Sequence, residues 1–129
     1  MLKDSLLIIS NLVLNFIIFI LCLKTTNYSG GEVGMVPLVV LLNSFLSYLC
    51  SIPTIFIAKR FYKWTFLKTL FIYNIFYFII FLFWGLNPLE GQGFLENIDL
   101  FIILIEVFSM LIVLFGAYLQ QKYFSKKIQ

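Results

Sequence analysis

Four long apolar runs dominate this chain and decide what it can fold into: Leu6–Leu23, Val36–Ala58, Thr69–Leu86 and Leu100–Leu119. Crossing the hydrocarbon core of a bilayer takes about 20 apolar residues of helix, and each run meets or approaches that length. Of the 129 residues, 62% are hydrophobic and only 12% are charged. A soluble domain is about a quarter charged, and a globule this small cannot hide so much apolar surface from water. The expected solvent is therefore lipid. The expected fold is all-α, a polytopic membrane protein with four transmembrane helices in two hairpins, with residues 1–129 forming a single domain. The opening "MLKDS" resembles the start of a signal peptide, but "FILCLKTTNYSGG" offers no A-x-A site, and Leu21 is large for the residue before a lipoprotein cysteine. The first run reads as a retained span.

The connectors set an orientation. Lys59, Arg60, Lys63 and Lys68 lie between runs two and three, and Lys122, Lys126 and Lys127 follow run four. Glu90, Glu96 and Asp99 lie between runs three and four with no base, and the first connector holds only Lys24 and Glu32. Basic connectors stay in the cytoplasm, so the expected topology is N-in and C-in. The middle connector, "AKRFYKWTFLK", interleaves bases with aromatics. It reads as a topology anchor or as a platform for a lipid headgroup or partner, built from Lys59, Arg60, Lys63, Trp64 and Lys68. The other connectors, "KTTNYSGGEVGMVP" and "GLNPLEGQGFLENID", carry turn residues. Gly30-Gly31 is not a phosphate loop, because no GK[ST] follows it.

The two halves echo each other. "NFIIFILCL" (Asn15–Leu23) aligns with "YFIIFLFWGL" (Tyr77–Leu86), and "FIAKRFYKW" (Phe56–Trp64) with "YLQQKYFSK" (Tyr118–Lys126). Two hairpins of one sense make a parallel repeat, as in some transporters. At "LVLNFIIF" (Leu12–Phe19) and "FIAKRFYKWTF" (Phe56–Phe66), with Phe56, Arg60, Trp64 and Phe66 as its marks, the chain resembles GtrA-like proteins. These are small bacterial membrane proteins with four spans in two halves. "FGAYLQQKYF" at the end of run four matches more loosely, and the spacing from Arg60 to Trp64 is longer than in that pattern. The resemblance implies movement or handling of polyprenyl-phosphate-linked sugars for cell-surface glycans, in a bacterial cytoplasmic (inner) membrane.

Polar residues recur at helical spacing inside the runs: Asn11 and Asn15; Asn43, Ser47, Ser51 and Thr54 beside Pro53; Thr69, Tyr73 and Tyr77, with Asn74 adjacent; and Glu106, followed on its helix by a stripe of small residues, Ser109, Gly116 and Ala117, that lets another helix approach closely. In lipid such groups turn towards other helices, either as packing contacts or as a site. Glu106 stands out. A mid-span carboxylate costs about 3 kcal/mol on insertion scales, offset by neighbours that each return about 0.3–0.6 kcal/mol. No base lies mid-span, and depth along the runs points to Asn15 and Asn43 as its partners. Glu106 is expected to act as a hydrogen-bond donor, as a proton or cation site, or as an anchor to another subunit.

The candidate site residues are thus Glu106, Asn15, Asn43, Asn74, Ser47 and Ser109. With no histidine, no paired carboxylate and no activated serine or cysteine, an enzyme is not expected, nor is a metal or a cofactor. Cys22 and Cys50 form no CxxC pair. The expected partners are the bilayer, a lipid-linked saccharide, and another copy or a partner membrane protein; nucleic acid is not among them. The alternative functions are an accessory subunit or an immunity protein against a membrane-active toxin, and a small oligomeric channel or exporter.

Overall fold

A computed structural model of the chain describes residues 2–25, 36–84 and 98–128. Most of each Gly-containing connector, residues 26–35 and 85–97, lies outside the described residues, and with it the last two residues of the third run. Four helices make up almost everything described: α1 (Leu2–Thr25), α2 (Val36–Phe61), α3 (Phe66–Phe83) and α4 (Ile98–Ile128). Each is long and apolar enough to cross a membrane, which fits an integral membrane protein.

α1, α2 and α4 run past the predicted limits where polar residues still support helix geometry, whereas α3 begins earlier, at Phe66, and ends at Phe83, short of the predicted Leu86. α1 begins at Leu2, with Asp4 in its first turn and Lys24 in its last. α2 closes on Lys59 and Arg60, and α4 on Lys126 and Lys127. An acid near a helix N-terminus and bases near a C-terminus complement the aligned peptide dipoles. α4 gains most. It continues nine residues beyond the predicted Leu119, because "QQKYFSKKI" contains no glycine or proline to stop it. Pro53 lies inside α2 without ending it. Its ring denies the Leu49 carbonyl a helical donor. On either side, the Ser51 and Thr54 hydroxyls bond the Tyr48 and Cys50 carbonyls.

The bundle inverts the polarity of a soluble one. Its outer surface exposes Phe45, Phe56, Phe71, Phe108 and Phe115 among many apolar side chains. Its interior, among the described residues, holds ten hydrophobic side chains and ten polar or charged ones. Helices that are apolar all round suit lipid, and their few polar groups must then find one another inside.

Packing follows the repeat. α2 packs most extensively on α3 and α1 on α4, whereas α2 and α4 barely meet. Each half also leans its first helix on the second helix of the other half, so the two hairpins pack into one bundle. Buried positions match between halves at one constant offset. Ile8 pairs with Leu70, Asn11 with Tyr73, Asn15 with Tyr77 and Phe19 with Phe81 on α1 and α3. Val40 pairs with Ile102, Asn43 with Ile105, Ser44 with Glu106 and Ser47 with Ser109 on α2 and α4. All sixteen residues are buried, so the echo in the sequence is an echo in packing.

The halves diverge at the basic ends of α2 and α4. Tyr118 to Lys127 are all exposed, whereas Ala58, Lys59 and Trp64 of the first half are half-buried. Gly116, read as part of a small-residue stripe next to Glu106, also faces outward, and a side chain added there would meet nothing within 4 Å.

Candidate functional site

The interior polar groups gather at two levels. The first is a lock at the basic end of the bundle. The Asp4 carboxylate on α1 pairs with the Lys59 ammonium on α2. It also accepts a hydrogen bond from the Thr69 hydroxyl on α3 at 2.8 Å, and Thr69 in turn accepts one from the Trp64 indole at 2.7 Å. Three helices and the short turn at Tyr62–Thr65 are thus tied through one carboxylate. Lys59 and Trp64, expected to face a headgroup or a partner, are partly consumed here. Arg60, Lys63 and Lys68 are exposed, although the Lys68 ammonium also bonds the Lys63 carbonyl at 2.6 Å. Asp4 was not among the expected site residues. The available signal was an acid in the first turn of a span whose neighbouring span ends in Lys59.

The second level is the centre of the bundle, where all four helices contribute. Asn11 Nδ2 donates to Glu106 Oε1 at 2.8 Å, joining α1 to α4. Asn43 Nδ2 on α2 donates to the Tyr77 carbonyl on α3 at 3.3 Å. Asn15, Asn43 and Ser44 surround the Tyr77 hydroxyl, and Ser44 neighbours that of Tyr73. The two tyrosine rings lie 6.2 Å apart. Glu106 is 2% exposed, and Asn11, Asn43 and Tyr73 are fully buried.

This corrects the expected partner of Glu106, which is Asn11 and neither Asn15 nor Asn43. Phe19 meets Phe101 just as Asn11 meets Glu106. α4 is therefore set lower against α1, towards the basic end, than the midpoints of the apolar runs implied. Relative helix displacement comes from side-chain packing, which run lengths do not encode.

The serines and Asn74 also differ from the reading of interhelical contacts. Ser47 bonds the Asn43 carbonyl at 2.6 Å and Ser109 the Ile105 carbonyl at 2.8 Å. Half-buried Asn74 bonds the Leu70 carbonyl at 2.8 Å. Each is satisfied within its own helix, so these three contribute small volume or local bonding rather than links between helices.

Among the described residues, seven buried side-chain atoms in the central cluster make no well-formed hydrogen bond: Asn11 Oδ1, Asn15 Nδ2 and Oδ1, Asn43 Oδ1, the Tyr73 and Tyr77 hydroxyls, and Glu106 Oε2; the two hydroxyls have only the looser approach of the amides and Ser44 named above. Beside the cluster, a groove of about 310 Å³ opens between α3 and α4. Its walls are Phe71, Ile75, Phe78, Ile103, Val107 and Met110, and its polar members are Asn74, Tyr77 and Glu106. A second groove, between α2 and α3, is lined among the described residues by Leu46, Cys50, Ile79, Ile80, Phe83 and Trp84, none of which carries a carboxylate or an amide side chain. No protein-family model, curated protein or solved structure matches the chain.

Proposed function

We propose that this protein binds a polyprenyl-phosphate-linked sugar and handles or translocates it in a bacterial inner membrane, with its basic end towards the cytoplasm. The observation that carries this reading is the groove between α3 and α4. Its apolar walls suit an isoprenoid chain lying along the helices, where close contact with such side chains is favourable. Lys68 lies one turn before Phe71 on the same face of α3. A chain in the groove thus leads towards exposed Lys68, Lys63 and Arg60, which complement a phosphate. Asn74 and Glu106 supply hydrogen-bonding groups farther in. The resemblance to GtrA-like proteins at "LVLNFIIF" and "FIAKRFYKWTF" points the same way.

A second reading, a subunit of a larger membrane complex, is favoured by Gly116. Its bare outward face on α4 is the kind of surface on which another helix approaches closely.

Mass spectrometry of lipids retained by the protein purified in mild detergent separates the two. The first reading expects polyprenyl phosphate enriched over bulk phospholipid, and lost when Val107→Trp fills the groove or when Arg60, Lys63 and Lys68 are all changed to Ala. A stable stoichiometric protein partner, with no enrichment of polyprenyl lipid, would overturn it in favour of the second.

A further inference from the structure

The seven unpartnered atoms of the central cluster call for an explanation, and of the residues that carry them the groove reaches only Tyr77 and Glu106. An unpaired buried polar atom costs about 1–3 kcal/mol, and a span surrounded by lipid has no water to offset that cost. Most buried polar groups are therefore satisfied by protein, water or an ion. Here the unsatisfied atoms come from all four helices, with Asn11 bonded to Glu106 and Tyr73 and Tyr77 within electrostatic reach of that carboxylate.

Their chemistry is uneven. Six of the seven are oxygens, from three amides, two phenols and one carboxylate. Three amide oxygens and one carboxylate oxygen can only accept, and the phenols can accept as well as donate. The set carries one carboxylate, Glu106, and no base. α1 contributes Asn11 and Asn15 here, α2 Asn43 and Ser44, α3 Tyr73 and Tyr77. Lys59, the half-buried base of the bundle, is held by Asp4 at the level of the lock. Oxygen donors with a single negative charge match a hard cation with a single positive charge. A divalent ion would leave one charge uncompensated in a low-dielectric interior.

We propose that Glu106 Oε2, with the amide and phenol oxygens around it, forms a binding site for one alkali-metal cation of sodium's size at the interface of the two halves. The pairing of buried positions strengthens the assignment. Glu106 occupies on α4 the place that Ser44 holds on α2, and Asn11 occupies on α1 the place of Tyr73 on α3. Asn11 with Glu106 and Tyr73 with Ser44 therefore hold equivalent positions in the two halves; only the first two share a well-formed hydrogen bond, and only they include a carboxylate. In parallel-repeat transporters, coupling-ion sites lie near the midplane between repeats. A cation here would bridge the halves and stabilise their packing, whatever occupies the groove.

The test is thermal unfolding of the detergent-purified protein, titrated with sodium chloride against choline chloride at constant ionic strength. Ligand binding to the folded state raises the melting temperature saturably. Sodium should do so and choline should not. If a proton competes for the same carboxylate, the apparent sodium affinity should fall as pH is lowered, by no more than tenfold per unit. Glu106→Gln keeps shape and an acceptor for Asn11, and should fold while losing the sodium response. Tyr77→Phe removes one oxygen and should weaken sodium binding severalfold. Two outcomes would overturn the proposal. One is no difference between sodium and choline in the wild type at any pH, which would leave a protonated carboxyl or bound water to satisfy the cluster. The other is an undiminished sodium response in Glu106→Gln, which would put the ion elsewhere. Neither bears on lipid retention, so the proposed function stands or falls separately.

Discussion

At the scale of single residues, polar side chains of similar composition do different work because of what they reach. Ser47 and Ser109 spend their hydroxyls on their own helices, whereas Asp4 gathers partners from two other helices. Replacing Asp4 by Asn leaves the Lys59 ammonium without its counter-charge and weakens the Thr69 bond. Hydrogen bonds to charged groups contribute about 1.5–3 kcal/mol. The Lys59 side chain is 30% exposed, so the lower end applies, about 1.5 kcal/mol. A thermal melt in detergent should show Asp4→Asn clearly destabilised, with Ser47→Ala much less affected. Equal losses in the two would mean that the lock contributes nothing beyond ordinary packing.

At the scale of elements, α4 differs most from its counterpart. α2 ends against the lock, since Lys59 and Trp64 have partners there. At the equivalent places on α4, Gln121 and Lys126 are exposed, and no acid equivalent to Asp4 waits for them because α3 begins with Phe66. A helix segment with little to pack on contributes little to the bundle. Ending the chain after Leu119 should therefore leave the melting temperature within the range of surface changes, about 0.5 kcal/mol. It also removes Lys122, Lys126 and Lys127, so the share of anionic lipid retained by the purified protein should fall relative to the full chain. A truncated protein that fails to fold would show that the segment packs against something, and a second copy or a partner would be the first place to look.

At the scale of the molecule, the charge bias between connectors predicts which end faces the cytoplasm. Lys24 and Ser125 are both exposed, at opposite ends of the bundle. With Cys22 and Cys50 replaced by alanine, a cysteine at Lys24 should react with an impermeant thiol reagent added to intact cells. A cysteine at Ser125 should react only after the membrane is opened. The reverse pattern would turn the protein over and move the basic end away from the cytoplasmic leaflet. It would also remove the electrostatic part of the argument for a phosphate-bearing lipid.

Four membrane-length helices and the inward facing of the polar stripes were legible in the chain alone, because both follow from the free energy of polar and apolar groups in lipid. The chain also carried the repeat, since residues at one offset along two like helices meet like surroundings. Glu106, Asn15 and Asn43 were legible as buried groups for the same reason. Which side chain meets which emerged only once the helices were packed together. Glu106 pairs with Asn11 because α4 sits lower against α1 than run lengths imply. Lys59 faces Asp4 rather than lipid because three helix ends converge on one carboxylate. Both depend on the sliding and rotation of packed helices, which are set by the summed fit of many side chains, and no single segment of a membrane sequence contains that sum.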